Sequence, residues 1–326
     1  MVVTSLTVGV RAPNVGPCVT WRRTLPGEGG VVIDLERVTA IDVHTHVHGS
    51  VKPLVTSGEN LAAMASYFRS GDVKAYNVDE LAAYYRERNM AAVTFTLDLV
   101  SVSGQDPSPG NEEVAELAAR NADVIIPFAS LDPARGQAAV RQARTLIDEF
   151  GMRGFKFHPS AQRFYPNDRA VYPLYEVIEA AGLPALFHTG QTGVGAGTPG
   201  GGGIRLKYAN PLYLDDVAAD FPGLPIIMAH PSFPWQEEAI SIALHKPGVF
   251  IDLSGWSPKY FPPLLIQYAN TLLKHKMLFG TDFPMITPER WLTDLEKIGI
   301  RDEVKAGILK DNAAALLGLD PGRCNR

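Results

Sequence analysis

Residues 154–188 read GFKFHPSAQRFYPNDRAVYPLYEVIEAAGLPALFH, and this stretch decides the fold. It opens on a short apolar run at 154–158, carries a helical pattern over 170–181 and closes on a second apolar run at 184–188. Gly182 stands where a glycine ends a helix. Short apolar runs without polar alternation suit strands buried on both faces. Such strands, spaced by helices, build parallel sheets.

The same unit repeats in both directions. Further apolar runs at 38–47, 91–100, 124–130, 224–230, 249–253 and 276–282 complete a set of eight. Helical patterns lie at 79–88, 112–121, 136–150, 212–221, 237–245, 264–274 and 288–298. Asp79 and Asn111 are read as N-caps, Pro288 after Thr287 suits a helix start, and Gly151 repeats the C-terminal glycine. Eight strand–helix pairs predict an α/β fold, a (β/α)8 barrel of the TIM type. The runner-up is an open doubly wound sheet, which needs no eightfold count. A final helical stretch at 302–317 is expected to pack on the outside. The barrel is assigned to residues 39–326. Residues 1–38, with β-like segments at 6–10 and 31–35, are read as an N-terminal arm or cap, too short for a core of its own.

Composition narrows the class. The chain has 326 residues, 46% of them hydrophobic, and a formal net charge of −5. An acidic balance argues against a nucleic-acid or anionic-membrane partner, since both need a basic excess. Cys18 and Cys324 are the two cysteines; they make no disulfide framework and fit a reducing compartment. No apolar run reaches the roughly 18 residues of a membrane span. Arg11 follows the first apolar stretch, the wrong order for a secretory signal. These features predict a cytoplasmic protein. Residues 190–203, GQTGVGAGTPGGGG, are too irregular for a dinucleotide fingerprint, and no GxxxxGK[ST] phosphate loop is present. Because this segment follows a barrel strand, it is read as a flap over the barrel mouth.

The polar signals collect at the C-terminal ends of the expected strands. His44 and His46 end the first run, His188 the fifth, His230 the sixth and Asp282 the eighth. Residues i and i+2 on a strand share a face, so both imidazoles of the first run can reach one point in the barrel mouth. Barrel enzymes place their sites there. Imidazole nitrogens and a carboxylate are the ligands of a divalent metal such as zinc. One such residue alone is weak evidence; their convergence at strand ends one, five, six and eight is much stronger.

The motifs DVHTH at 42–46, GFKFHP at 154–159, HTG at 188–190, AHP at 229–231 and FGTDFP at 279–284 resemble those of the amidohydrolase superfamily. Within it they resemble the amidohydrolase-related branch that includes aminocarboxymuconate-semialdehyde decarboxylase. The likeness covers roughly residues 39–318 and leaves the first 38 outside. It implies a distorted barrel with one divalent metal ion, zinc first and manganese second. On that resemblance His44, His46, His188 and Asp282 match the ligand positions, and His230 matches the catalytic histidine, with Asp282 also orienting water. Lys156 sits where dinuclear relatives carry a bridging lysine; here it is assigned to the site wall or the substrate. His158 is read as a substrate contact. His48, before Gly49, is read as lying past the first strand.

Hydrolysis and non-oxidative decarboxylation both use this apparatus, and the branch contains both. Hydrolysis is placed first and decarboxylation of an aromatic or dienoic acid second. A barrel that binds metal without catalysis stands last, because binding alone has no need of His230. Arg205 and Lys207 after the glycine segment suggest a small anionic substrate. Trp256 and its aromatic neighbours suggest an aromatic or unsaturated portion. The segments 203–211 and 253–260 resemble members thought to hydrolyse aryl β-ketoacyl thioesters. A homodimer is the expected assembly, as symmetric dimers are common.

Overall fold

The computed structural model describes residues 33–52, 65, 66, 70, 71 and 73–319. Cys18, Cys324 and most of the N-terminal arm lie outside the described residues. The strands are β1 (Ala40–His46), β2 (Met90–Phe95), β3 (Ile125–Pro127), β4 (Ala129–Ser130), β5 (Phe155–Phe157), β6 (Ala185–His188), β7 (Ile226–Ala229), β8 (Val249–Asp252) and β9 (Met277–Leu278). Neighbours in the order β1-β2-β3 and β4-β5-β6-β7-β8-β9 all pair in parallel.

The two sheets are arcs of one barrel. β3 and β4 are halves of a single run, broken where Phe128 N–H turns back to the Thr94 carbonyl (2.9 Å) and Ala129 N–H crosses to Gly154 (2.9 Å). On the other side, Val43 N–H donates to Phe279 (3.0 Å), Asp282 N–H to His44 (3.0 Å) and His46 N–H to Phe283 (2.8 Å). These bonds carry the ladder from the segment after β9 back to β1. The expected eight strand positions are therefore all present, in a TIM-type barrel.

Helices such as Val78–Arg86, Gln137–Asp148, Tyr172–Ala180 and Pro288–Leu295 connect the strands. Gly151 and Gly182 have φ of +67° and +65°, the left-handed conformation that ends a helix. Thr287 caps the helix that starts at Pro288. Two expected caps shift. Asn77, not Asp79, caps the first helix in a reciprocal capping box with Glu80. Asn111 is the first residue of its helix, after Gly110. Its amide instead clamps Ser130 through two backbone bonds of 2.8 Å.

Alternate strand residues form two cores. Ala92, Ile125, Phe155, Phe157, Met228 and Ile251 pack outward beneath the helices. Ile41, Val93, Ile126, Leu186, Ile227 and Leu278 fill the barrel interior. The final helical run, Asp302–Ala306 through a π turn at Gly307–Asp311 to Asn312–Leu316, was expected outside. Ala313, Ala314 and Leu317 instead join the interior cluster with Ile33 and Val38, so this run helps to floor the barrel. Small alanines let the helix approach that closely.

Candidate metal centre

β1 departs from a regular strand just before its histidines. Its register with β2 shifts between Asp42 and Thr45. Ile41 and Val43 belong to the interior cluster. Without a bulge His44 would fall on the opposite face from Val43; the shift brings His44 and His46 to the inside as well. Asp42, between the inward-facing Ile41 and Val43, points away from the mouth and is a buried anchor. Its carboxylate accepts from His44 N–H (3.0 Å), Thr281 N–H (3.0 Å), Thr281 Oγ1–H (2.6 Å) and Tyr85 O–H (2.6 Å). Burial pushes Asp42 up to about 6 even against these bonds.

The strand ends then converge. His46 Nε2 lies 3.1 Å and His44 Nε2 3.3 Å from Asp282 Oδ1. His230 Nε2 is 3.0 Å from His188 Nδ1. Among the described residues, His44, His230 and Asp282 form a ligand grouping whose atoms lie within 4.8 Å of one another. His230 and Asp282 occupy left-handed backbone, φ +73° and +65°, unusual for residues other than glycine. Such conformations persist where the surroundings impose them, often at functional sites.

Electrostatics suit a cation. Burial drives His44 and His188 well below the ordinary histidine range, and neighbouring positive groups add to it. Burial also takes His230 down to about 4 against the opposing pull of Asp282. Desolvation alone would raise Asp282, but the His46 bond and then the His230 and His46 charges hold it at about 2. The site therefore gathers the neutral imidazoles of His44, His188 and His230 around an ionised carboxylate, the protonation states a divalent metal requires. His188 Nε2 is buried without a hydrogen-bond partner. An orphaned nitrogen of that kind is costly unless something coordinates it. The donor set thus fits a metal.

The cavity above these groups measures about 100 Å³ and is lined by His46, Lys156, His158, His188, His230 and Asp282, with Leu97, Val194 and Trp256 among its apolar walls. Lys156, fully buried, lies 3.2 Å from His44 Nε2, and burial lowers its ammonium to about 7. His158 stacks on His188 with ring centroids 3.9 Å apart and the planes 8° from parallel. Its Nδ1 accepts from Ala161 N–H and its Nε2 meets Thr192 Oγ1, both at 3.3 Å. Trp256 meets Phe233 at 5.7 Å between centroids. His48, expected beyond the strand, also lines the cavity and stacks on His46.

Arg205 and Lys207 are not brought to this cavity. Both are exposed, and Lys207 lies over the Tyr165 and Tyr208 rings at 5.4 Å. Of the glycine segment, only its start, Gln191 to Val194, lines the cavity. Two further residues were not foreseen. Asp252 ends β8, with Oδ2 2.6 Å from His44 Nδ1, and Ser254 Oγ reaches both His44 Nδ1 and His230 Nδ1 at 3.0 Å. The available signal was a carboxylate closing the apolar run VFID.

A family model described as amidohydrolase matches residues 41–319. The chain belongs to that family. Protein fluG of Emericella nidulans is 26% identical over 160 residues, 43% of this chain; the match spans only 17% of that protein's length. Among solved structures, an uncharacterised TIM-barrel protein from Bordetella bronchiseptica has a TM-score of 0.67 at 21% identity, covering 88% of this chain and 99% of that one. A dihydroxybenzoic acid decarboxylase from Polaromonas sp. JS666, solved with manganese and 2-nitroresorcinol, has a TM-score of 0.63 at 15% identity, with coverages of 88% and 99%. At these identities the structural likenesses establish the fold. Family membership and the His-His-Asp grouping support a metal-dependent enzyme.

Proposed function

We propose that this chain is a metal-dependent hydrolase. It would act at a carbonyl of a small anionic substrate with an aromatic or unsaturated portion, with carbon–carbon cleavage of an aryl β-ketoacyl thioester as the leading case. The observation that carries the reading is the pairing of Asp282 and His230, a base and a proton relay whose ligand atoms, with those of His44, lie within 4.8 Å.

His44, His46, His188 and Asp282 would hold one divalent ion, zinc or manganese. When bound, it would lower the pKa of a coordinated water and polarise a substrate oxygen. Asp282, kept ionised, orients the attacking water and accepts its proton. His230, neutral at rest, relays that proton to the departing carbon. In the leading case, water's oxygen joins the aryl carbonyl carbon, and the bond from that carbon to the methylene breaks. The methylene leaves as an enolate and takes a proton, giving an aryl acid and an acetyl thioester. Lys156 and Trp256 serve the substrate's anionic and aromatic parts, and His158 supports the wall. Arg205 and Lys207, outside the cavity, suit a remote anionic group of a longer substrate.

A second reading, non-oxidative decarboxylation, draws on the decarboxylase among the structural neighbours. Lys156, the one lysine or arginine among the described residues that line the cavity, would serve a substrate carboxylate in either reading, so it does not divide them. Isotopes separate the two. Aryl β-ketoacyl thioesters and hydroxybenzoates are supplied in ¹⁸O- and deuterium-labelled water. Hydrolysis places one solvent oxygen in the product acid. Stoichiometric CO₂, a solvent deuteron on the ring and no ¹⁸O would establish decarboxylation instead.

A further inference from the structure

Six groups in the site form one continuous hydrogen-bonded chain, and its polarity can be read outward from Asp252. Lys156 Nζ meets His44 Nε2 at 3.2 Å. Asp282 Oδ1 lies 3.3 Å from the same nitrogen, so the direction is set at the other ring nitrogen, where Asp252 is the partner. His44 Nδ1–H then donates to Asp252 Oδ2 at 2.6 Å. The same oxygen accepts Ser254 Oγ–H at 2.8 Å, and Asp252 Oδ1 accepts Ser254 N–H at 2.9 Å. Three donors converge on Asp252, the geometry of an ionised carboxylate, against the burial that pushes its pKa up to about 8. With its hydrogen committed, Ser254 Oγ has only lone pairs left for His230 Nδ1, 3.0 Å away. His230 therefore carries its proton on Nδ1, and its Nε2 accepts from His188 Nδ1–H at 3.0 Å. His188 Nε2 is then the bare nitrogen at the end of the chain, and it is the one found buried without a partner.

We infer that Asp252 and Ser254 are positioning residues: one buried carboxylate and one buried hydroxyl fix the tautomers of His44 and His230, and through His230 that of His188. This assignment rests on the metal-centre reading above, but not on which reaction the centre performs. Local backbone has been shaped around the pair. A Cβ on Gly280 would lie 2.1 Å from Asp252 Oδ1 and 2.9 Å from Ser254 Cβ. A Cβ on Gly255, at φ +70°, would lie 2.4 Å from His230 Nδ1. Both glycines leave space that any side chain would fill. The result is that His44 Nε2 and His188 Nε2, on two different strands, both present lone pairs, as ligand nitrogens must.

The test uses the full chain with ¹⁵N-labelled histidine, as purified and after loading with one equivalent of Zn²⁺ or Mn²⁺. The zinc-loaded and metal-free forms give tautomers from ¹⁵N chemical shifts. Chelator competition gives metal affinity for both ions. Asp252→Asn should weaken metal binding roughly 10–100-fold, the usual effect of removing a ligand's outer partner. Ser254→Ala should leave metal affinity within a few-fold but move His230 from the Nδ1–H form to a mixture. Turnover, on whichever labelled substrate reacts, should fall roughly tenfold. Ser254→Thr, which restores the hydroxyl, should recover the tautomer. Wild-type metal affinity in a folded Asp252→Asn protein overturns the role of Asp252. An unchanged His230 spectrum in Ser254→Ala overturns that of Ser254. Should Asp252→Asn not fold, Asp252→Glu, with its carboxylate displaced by one methylene, replaces it under the same criterion. Failure of ¹⁸O incorporation in the wild type refutes the hydrolase reading and leaves these spectra unaffected.

Discussion

His188 and His230 stand 3.0 Å apart and are chemically alike, yet the proposed reaction gives them different tasks. His188 Nε2 is buried and unpartnered, as a waiting ligand would be. His230 is tied at both nitrogens, to Ser254 and to His188, as a group that moves protons can be. His230→Asn should therefore keep its metal while kcat falls by roughly 10²–10⁴, the worth of a positioned acid–base group. His188→Ala should lose the metal. Metal analysis on the two purified variants decides it, and equal loss in both would mean that His230 is a ligand. That outcome has a structural basis, because His230 shares the ligand grouping with His44 and Asp282. The sequence could single out these histidines because each ends an apolar run. It could not divide ligand from proton carrier, because that depends on which ring nitrogen faces which neighbour. Asp252 escaped for a related reason: a carboxylate at a strand end reads equally well as a loop residue until His44 is seen 2.6 Å away.

The same limit appears at the scale of elements. Strand and helix order follows from hydrophobic period, so all eight strand positions were legible, including the run that breaks at Phe128. The bulge in β1 was not, since it is a matter of register against β2 and leaves no mark on the pattern DVHTH. Nor was the placement of the final helix, whose alanines fit a surface helix as well as a barrel floor. Contacts between elements carry testable energies. Thr281 Oγ1 and Tyr85 O–H both bond Asp42 Oδ2, joining the segment after β9 and the first helix to β1. Thr281→Val should cost about 1–3 kcal/mol by leaving a buried carboxylate short of a donor, measured by urea unfolding. On the outer side, Asp294 in helix Pro288–Leu295 accepts from Ser257, next to Trp256. The Ser257 hydroxyl, and then Lys297, hold its carboxyl below the usual range. A lowered folded pKa contributes stability above the unfolded value, near 3.8, that is lost as pH falls through the lower folded value. Asp294→Asn should thus be less stable than wild type by about 1 kcal/mol at pH 7, with the gap closing as pH falls below the unfolded carboxyl's value. A gap unchanged by pH would show that the charge is irrelevant.

For the whole molecule the question is whether the metal makes the fold or only the site. The interior core of Ile41, Val93, Ile126, Leu186, Ile227 and Leu278 lies among the strands themselves, and the outer core lies beneath the helices. Neither includes a residue of the ligand set. Backbone bonds close the ring at Val43–Phe279 and His46–Phe283 without any help from the site. Removing metal should therefore abolish activity while the far-ultraviolet circular dichroism stays that of the folded barrel. Metal still binds only the folded state, so it adds RT ln(1 + [M]/Kd), about 4 kcal/mol at a thousandfold excess over Kd, and the thermal midpoint should rise by several degrees on reloading. One equivalent should restore full turnover, because Lys156 is placed as a site wall rather than a bridge. Unfolding on chelation would mean that the ring of strands depends on the metal. Restoration only at two equivalents, with loss of the second ion in Lys156→Met, would make the centre dinuclear and Lys156 its bridge.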